Sequence, residues 1–243
     1  MRKAIVQILT GMLLCGVCLS AQAGELSRQV VPIRWDDRKT APLKGEFAEE
    51  VIRLLQNTNK YAMNTWYNEV KKFGSQTGEY LDFGGKVERF IRPVSHEAFA
   101  LALCLRLNLY DPAVAGVSKE EAIERTVKLI GSLAYRHKSN SGKEGWGDLW
   151  QSALWAAQAA TAGWMMWDFL SPEQQEMVCR MVVHEADRFL DYKVPYYRDK
   201  QGNIIYKGDS KAEENAWNSN ILVIAITMMP GHAHEQQWMD KAL

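Results

Sequence analysis

The sequence predicts an all-α fold. After Lys44 apolar residues recur at helical spacing, and no convincing alternating run marks a strand. The stretches are also punctuated by helix stops and starts: Asp111-Pro112, Ser171-Pro172 and Pro230-Gly231. In order, the pattern predicts helices over Glu46 to Gln56, Ala62 to Phe73, Ser95 to Leu107 and Lys119 to His137. Asp148 to Phe169, Pro172 to Tyr192 and Ala212 to Met229 follow, then a last helix from near His234. The one β-like piece is Pro195 to Lys207, where Asp199 to Asn203 can turn a small hairpin carrying Tyr196, Tyr197 and Tyr206.

From Ser95 onward these helices pair as hairpins, at intervals of roughly 55 to 65 residues. The first helix of each pair is the more apolar, and the second is charged, as Lys119 to Lys128 and Glu173 to Arg188 show. Apolar helices inside and amphipathic helices outside suit an (α/α) toroid of helical hairpins; a solenoid of stacked pairs is the other arrangement. The inner helices open with Ser95-His96-Glu97, Trp146-Asp148-Trp150-Gln151 and Glu213-Glu214-Asn215-Trp217. In a ring these openings meet at one end and form a cleft.

Residues 1–23 read as a secretory signal: Arg2 and Lys3, an apolar run from Ala4 to Leu19, then Ala21-Gln22-Ala23 as the cleavage site. The mature chain, from Gly24, then carries 27 basic against 29 acidic residues, a net charge of −2 that gives no hint of nucleic acid. A periplasmic or secreted protein is expected, with no membrane attachment after cleavage. Cys104 and Cys179 are the remaining cysteines, read as buried thiols in apolar helices. Residues 24–243 are expected to form one α-helical domain. Because the chain stops at Leu243 inside an amphipathic helix, that domain is expected to be the N-terminal part of a longer protein, with the toroid incomplete.

The densest polar stretch runs from Gly208 to Asn220. One capping group, Asp209 or Ser210, suffices for a helix start, so the other polar groups are surplus to folding. Glu214 and Asn218, four apart, share a face, and Asn215 lies three from Asn218. Trp217, Trp146 and Trp150 are candidates for stacking on sugar rings, with Gln151 beside them. Trp155 and Trp164 are read as core, His137 and His184 as helix-surface residues. The bland alternatives are that Glu213 and Glu214 complement the helix dipole and that Asn215 and Asn218 tie neighbouring backbone. His232 and His234 make a weak metal signal without acids or cysteines beside them, and no metal or cofactor is called for. Arg89, Arg92 and Arg106 are read as ion-paired within their helix.

The run Asn215 to Asn220, the apolar helix after it, Met228-Met229-Pro230, Trp238 and Lys241-Ala242-Leu243 resemble a segment in the helical toroid of heparinase II/III-like polysaccharide lyases. Met229 and Gly231 stand where that family carries an aromatic residue and an acid. The resemblance implies β-elimination on a uronic-acid-containing polysaccharide or oligosaccharide. Asn215, with Asn218 second, is then the candidate to neutralise the uronate carboxylate, and Tyr196, Tyr197 and His96 are candidates for proton transfer. The resemblance also implies that catalytic partners can lie beyond Leu243. The rival enzyme is a toroidal glycoside hydrolase with paired carboxylates drawn from Glu97, Asp148, Asp209, Glu213 and Glu214. A non-catalytic glycan-binding or helical-repeat scaffold protein is the third reading.

Overall fold

The computed structural model describes residues 24–35, 44–190, 201–203, 208 and 212–243. They are mostly helical, with no strand among them. The longer helices are α1 (Glu46–Tyr61), α2 (Glu88–Arg106), α3 (Lys119–Tyr135), α4 (Ser152–Met165), α5 (Pro172–Asp187), α6 (Ala212–Met228) and α7 (Glu235–Ala242).

Local chemistry sets most of these boundaries. Ser118 caps α3 by accepting from the Glu121 N–H at 3.1 Å, with Glu120 and Glu121 in the first turn complementing the dipole. Ser171 and Gln174 form a reciprocal capping box on α5, with Pro172 at the first position where its missing N–H costs nothing. Three expectations need correction. The helix expected over Asp148 to Phe169 is the shorter α4, because Gly147 and Asp148 turn at positive φ before it and a separate 3-10 turn, Trp167–Phe169, follows it. The helix predicted from Ser95 begins at Glu88, because Pro93 lies within its early turns and does not start or stop it. The two helices expected at Glu46 to Gln56 and Ala62 to Phe73 are continuous, α1 running into a π-helical stretch Ala62–Val70.

The helices form two layers. α2 packs on α4 and α4 on α6, making an inner layer; α3, α5 and α7 cover them as the second members of the three hairpins. Alternation of hydrophobicity explains the layering. α4 is apolar on every side, burying Ala153, Trp155, Ala156, Ala157, Ala159, Ala160 and Ala162, and its small side chains let neighbouring helices approach closely. Each fully buried large side chain in this core, Leu129, Ile130 or Met181 among them, contributes roughly 1.5–3 kcal/mol. Cys104 on α2 and Cys179 on α5 are both buried and free, as expected, and burial raises both thiol pKa values.

Residues 24–35 form a strap across one end of this assembly. The Ser27 N–H donates to Glu176 Oε2 at 2.9 Å on α5, the Val31 N–H donates to the Met228 carbonyl at 2.9 Å, and Trp164 Nε1 donates to the Val31 carbonyl at 2.8 Å. Farther along, Trp35 lies 4.6 Å from the Arg106 guanidinium, which faces Phe169 at 5.3 Å and pairs with Asp168 at 3.0 Å. Met228, Trp164 and Arg106 belong to the last turns of α6, α4 and α2. The C-terminal ends of the inner helices therefore share one end of the molecule. Their N-terminal ends lie at the other.

Candidate functional site

The N-terminal end of α4 is prepared by a tight loop. An isolated bridge joins His137 to Trp146, with the Lys138 N–H donating to the Trp146 carbonyl at 2.8 Å and the Trp146 N–H to the Arg136 carbonyl at 2.9 Å. Gly147 then turns at φ 130° in close quarters, since a Cβ there would come within 2.7 Å of His137 Nε2. Asp148 follows in the left-handed region at φ 56°, which few non-glycine residues adopt.

What holds that turn is a buried polar network centred on Glu185, a residue with 0% exposure. Its Oε1 accepts from the Asp148 N–H at 3.2 Å and faces His137 Nε2 at 3.1 Å; its Oε2 lies 2.9 Å from Ser152 Oγ and is ion-paired with Arg188. Arg188 Nη2 donates to the Leu149 carbonyl at 3.2 Å, so one guanidinium reaches both the carboxylate and the loop. The Ser139 N–H donates to His137 Nδ1 at 3.2 Å, which assigns the proton of the neutral ring to Nε2, where Glu185 accepts it. Burial depresses the His137 pKa despite that carboxylate. Burial works the other way on Glu185, but the bonds from His137 and Arg188 outweigh it and hold the carboxylate ionised.

Asp148 sits at the surface edge of the network. His184 Nε2 lies 2.8 Å from its Oδ1, Arg188 Nε lies 3.6 Å from the same atom, and Lys138 bonds Oδ2. Burial favours its protonation, yet the bonds from Lys138 and His184 prevail and draw its pKa from 3.8 to about 2. A carboxyl so firmly ionised is a poor general acid.

Beyond this loop, the start of α4 meets the start of α6. Trp150 is 52% exposed and stands edge-to-face against Trp217, ring centres 5.6 Å apart. Beside it Gln151, at the N-cap of α4, is 4% exposed, and its Oε1 is buried without a hydrogen-bond partner. One turn farther in, Trp155 Nε1 is likewise buried and unpaired. On α6, Asn218 is buried while Glu214, Asn215 and Trp217 are half-buried. Unpaired buried polar atoms are costly, roughly 1–3 kcal/mol each, so two of them beside exposed Trp150 and half-buried Trp217 mark this as the candidate site.

Trp150 and Gln151, in the loop that enters α4, thus lie at the start of a helix packed on α6, which carries Glu214, Asn215, Trp217 and Asn218. Other expected residues fall elsewhere. Trp146 is not a stacking platform: it is 1% exposed, packed 6.1 Å from Trp155, and its Nε1 donates to the Leu133 carbonyl at 2.9 Å. His96 is not at a helix opening, because α2 starts eight residues earlier and places it about 12 Å along the axis. There Ser95 Oγ bonds Gln158 Oε1 at 3.1 Å in the middle of α4. His96 is half-buried with Nε2 unpaired, and burial, then the charge of Arg92, lowers its pKa. Tyr196, Tyr197 and Asp209 lie outside the described residues. His137, expected on a helix surface, is fully buried. Of the arginines, Arg92 pairs with Glu88 in its own helix at 2.8 Å, whereas Arg106 pairs across to Asp168.

Glu185, Ser152 and Arg188 were not singled out from the sequence. A signal existed: Val178, Met181, Val182, Glu185 and Ala186 continue one buried helical stripe, and a carboxylate on such a stripe must find partners. Among the described residues no group of His, Cys, Asp and Glu is arranged to hold a metal ion, and no helix is long and apolar enough to cross a membrane. Compared with protein-family models, curated proteins and solved structures, the chain matches none.

Proposed function

We propose that the protein is a secreted or periplasmic carbohydrate-active enzyme, a polysaccharide lyase acting on an acidic, uronic-acid-containing glycan, with its hairpins forming part of an (α/α) toroid. One observation carries the reading: the edge-to-face pair of exposed Trp150 and half-buried Trp217 stands beside the buried, unpaired Oε1 of Gln151. Aromatic faces stack on the apolar faces of sugar rings, and an unpaired amide oxygen accepts a sugar hydroxyl.

In this reading the Asn215 amide donates to the uronate carboxylate and stabilises the charge that develops when the adjacent carbon loses its proton. The electron pair of that C–H bond forms the new carbon–carbon double bond. The glycosidic C–O bond breaks, and its oxygen leaves with a proton from an acid. His96, mid-helix on α2 and away from the openings, is not placed to take that proton, so the base in this reading is Tyr196 or Tyr197. The other of these two tyrosines is the partner proposed for the leaving oxygen.

A second reading, a glycoside hydrolase, is supported by Glu97, whose half-buried carboxyl has its pKa raised by burial as a general acid requires. Incubation with a panel of uronate polysaccharides separates the two. The lyase predicts ultraviolet absorbance from a conjugated unsaturated uronate; new reducing ends without that absorbance favour the hydrolase. Binding with neither product leaves a non-catalytic glycan-binding protein.

A further inference from the structure

We infer that Glu185 is a positioning residue for the aromatic mouth, acting through the 147–152 loop to set Trp150 against Trp217 and to turn Gln151 inward. The inference rests on the proposed glycan site for its purpose, but not for its geometry. Glu185 touches neither tryptophan. It accepts from the Asp148 N–H, lies in bonding distance of Ser152 Oγ on the far side of Trp150 and Gln151, and is paired with Arg188, which bonds the Leu149 carbonyl between them. The backbone on both sides of Trp150 is therefore tied to one carboxylate on α5. The turn it restrains is one the chain would not adopt unaided, with Gly147 at φ 130° and Asp148 at φ 56°. Ser152 and Arg188 are themselves joined, Nη1 to Oγ at 2.6 Å, so the restraint is a closed circuit.

Glutamine at 185 preserves shape while exchanging one acceptor oxygen for an N–H₂ group, which meets with another donor either the Asp148 N–H and His137 Nε2–H at the Oε1 position or Ser152 and Arg188 at the Oε2 position. Glu185→Gln is therefore expected to release the loop from a folded protein. The readout is the near-ultraviolet circular dichroism that Trp150 and Trp217 generate together, isolated by subtracting the spectrum of the matching Trp217→Phe chain. In the ligand-free full chain this difference signal is expected to fall to under about half in Glu185→Gln while far-ultraviolet helicity is kept. A full difference signal in folded Glu185→Gln, with only a lower melting temperature, would show a structural role alone and overturn the inference. Where Glu185→Gln does not fold, Glu185→Asp carries the test, because it keeps the charge but draws the carboxylate back from the Asp148 N–H and Ser152 Oγ. An unchanged signal in that variant overturns the inference equally.

Titration with a panel of uronate oligosaccharides gives a second arm. Glu185→Gln and Trp150→Ala are each expected to weaken binding about tenfold, and the double variant no more than the worse single one, because both act on one element. Additive losses overturn the inference. If the wild-type protein binds no saccharide, the proposed glycan site fails while the spectroscopic arm still decides the role of Glu185.

Discussion

The two ends of the inner helices are finished in opposite ways. At the C-terminal end the strap uses its own backbone to close the structure: Val31 bonds Met228 and Trp164 together, and Trp35 and Phe169 enclose Arg106. At the N-terminal end Trp150 stays exposed, Gln151 keeps an unpaired buried oxygen, and Asp148 carries a left-handed backbone. One end is tied by backbone bonds from the strap and has its aromatic rings engaged, although Gln29 Oε1 is buried there without a partner. The other retains unmet hydrogen-bonding capacity, held in place by a fully satisfied network one layer behind. The contrast separates stabilising contacts from an exposed aromatic ring and strained loop by position along the same helices.

Substitutions at the two ends should therefore have reciprocal effects. The largest is expected for Asn215→Ala: a loss of turnover of about 10²–10³-fold in steady-state assays, with the thermal midpoint close to wild type. Wild-type turnover in that variant removes Asn215 from the mechanism. Next, Glu185→Ala strands Arg188 and the Asp148 N–H, and urea denaturation should register a loss of about 3 kcal/mol. A loss below 1 kcal/mol would mean that the loop finds other partners.

Arg106→Ala removes a ring contact to Trp35 of the strap together with the Phe169 contact and the Asp168 ion pair in the turn after α4, for about 1–2 kcal/mol in the same measurement, with turnover untouched. If turnover falls with stability intact, the two ends are coupled and the division is wrong. At the mouth, Trp150→Ala should weaken saccharide binding about tenfold in calorimetry, near 1.4 kcal/mol, while stability barely moves.

The smallest effect depends on pH. The His137 pKa is lowered from 6.5 by burial, so the folded protein keeps the ring neutral while the unfolded chain accepts a proton. This contribution is complete above pH 6.5 and is lost as pH falls below it, at up to about 1.4 kcal/mol per pH unit. His96 and His232 carry shifts of the same sign, so the informative quantity is the difference between wild type and His137→Gln. Equal slopes in the two proteins would place a charged imidazole in the core.

Much of the architecture was legible in the sequence because helical periodicity and capping chemistry are local. Ser171-Pro172 announced α5, Met229-Pro230 closed α6, and the apolar-then-charged hairpin rhythm anticipated the two layers. The start of α2 was not legible, because Pro93 reads as a breaker although its residue can be carried within early helical turns. Trp146 and Trp150, four residues apart, looked equivalent in sequence. Their fates diverged because a backbone bridge drew Trp146 into the core, and a contact made across the fold leaves no local mark. The Glu185 network escaped for the same reason: Lys138, Asp148, Ser152 and Arg188 come from separate segments that meet only after the hairpins dock.

The two buried thiols give this fold a built-in chemical record of its own opening. Cys104 and Cys179 lie on different layers, each within 1% of complete burial. Burial also disfavours the thiolate that reacts. A thiol-directed reagent added to native protein can label only molecules in which a helix has come away, so the two labelling rates time the release of α2 and α5 separately, residue by residue, in unmodified protein.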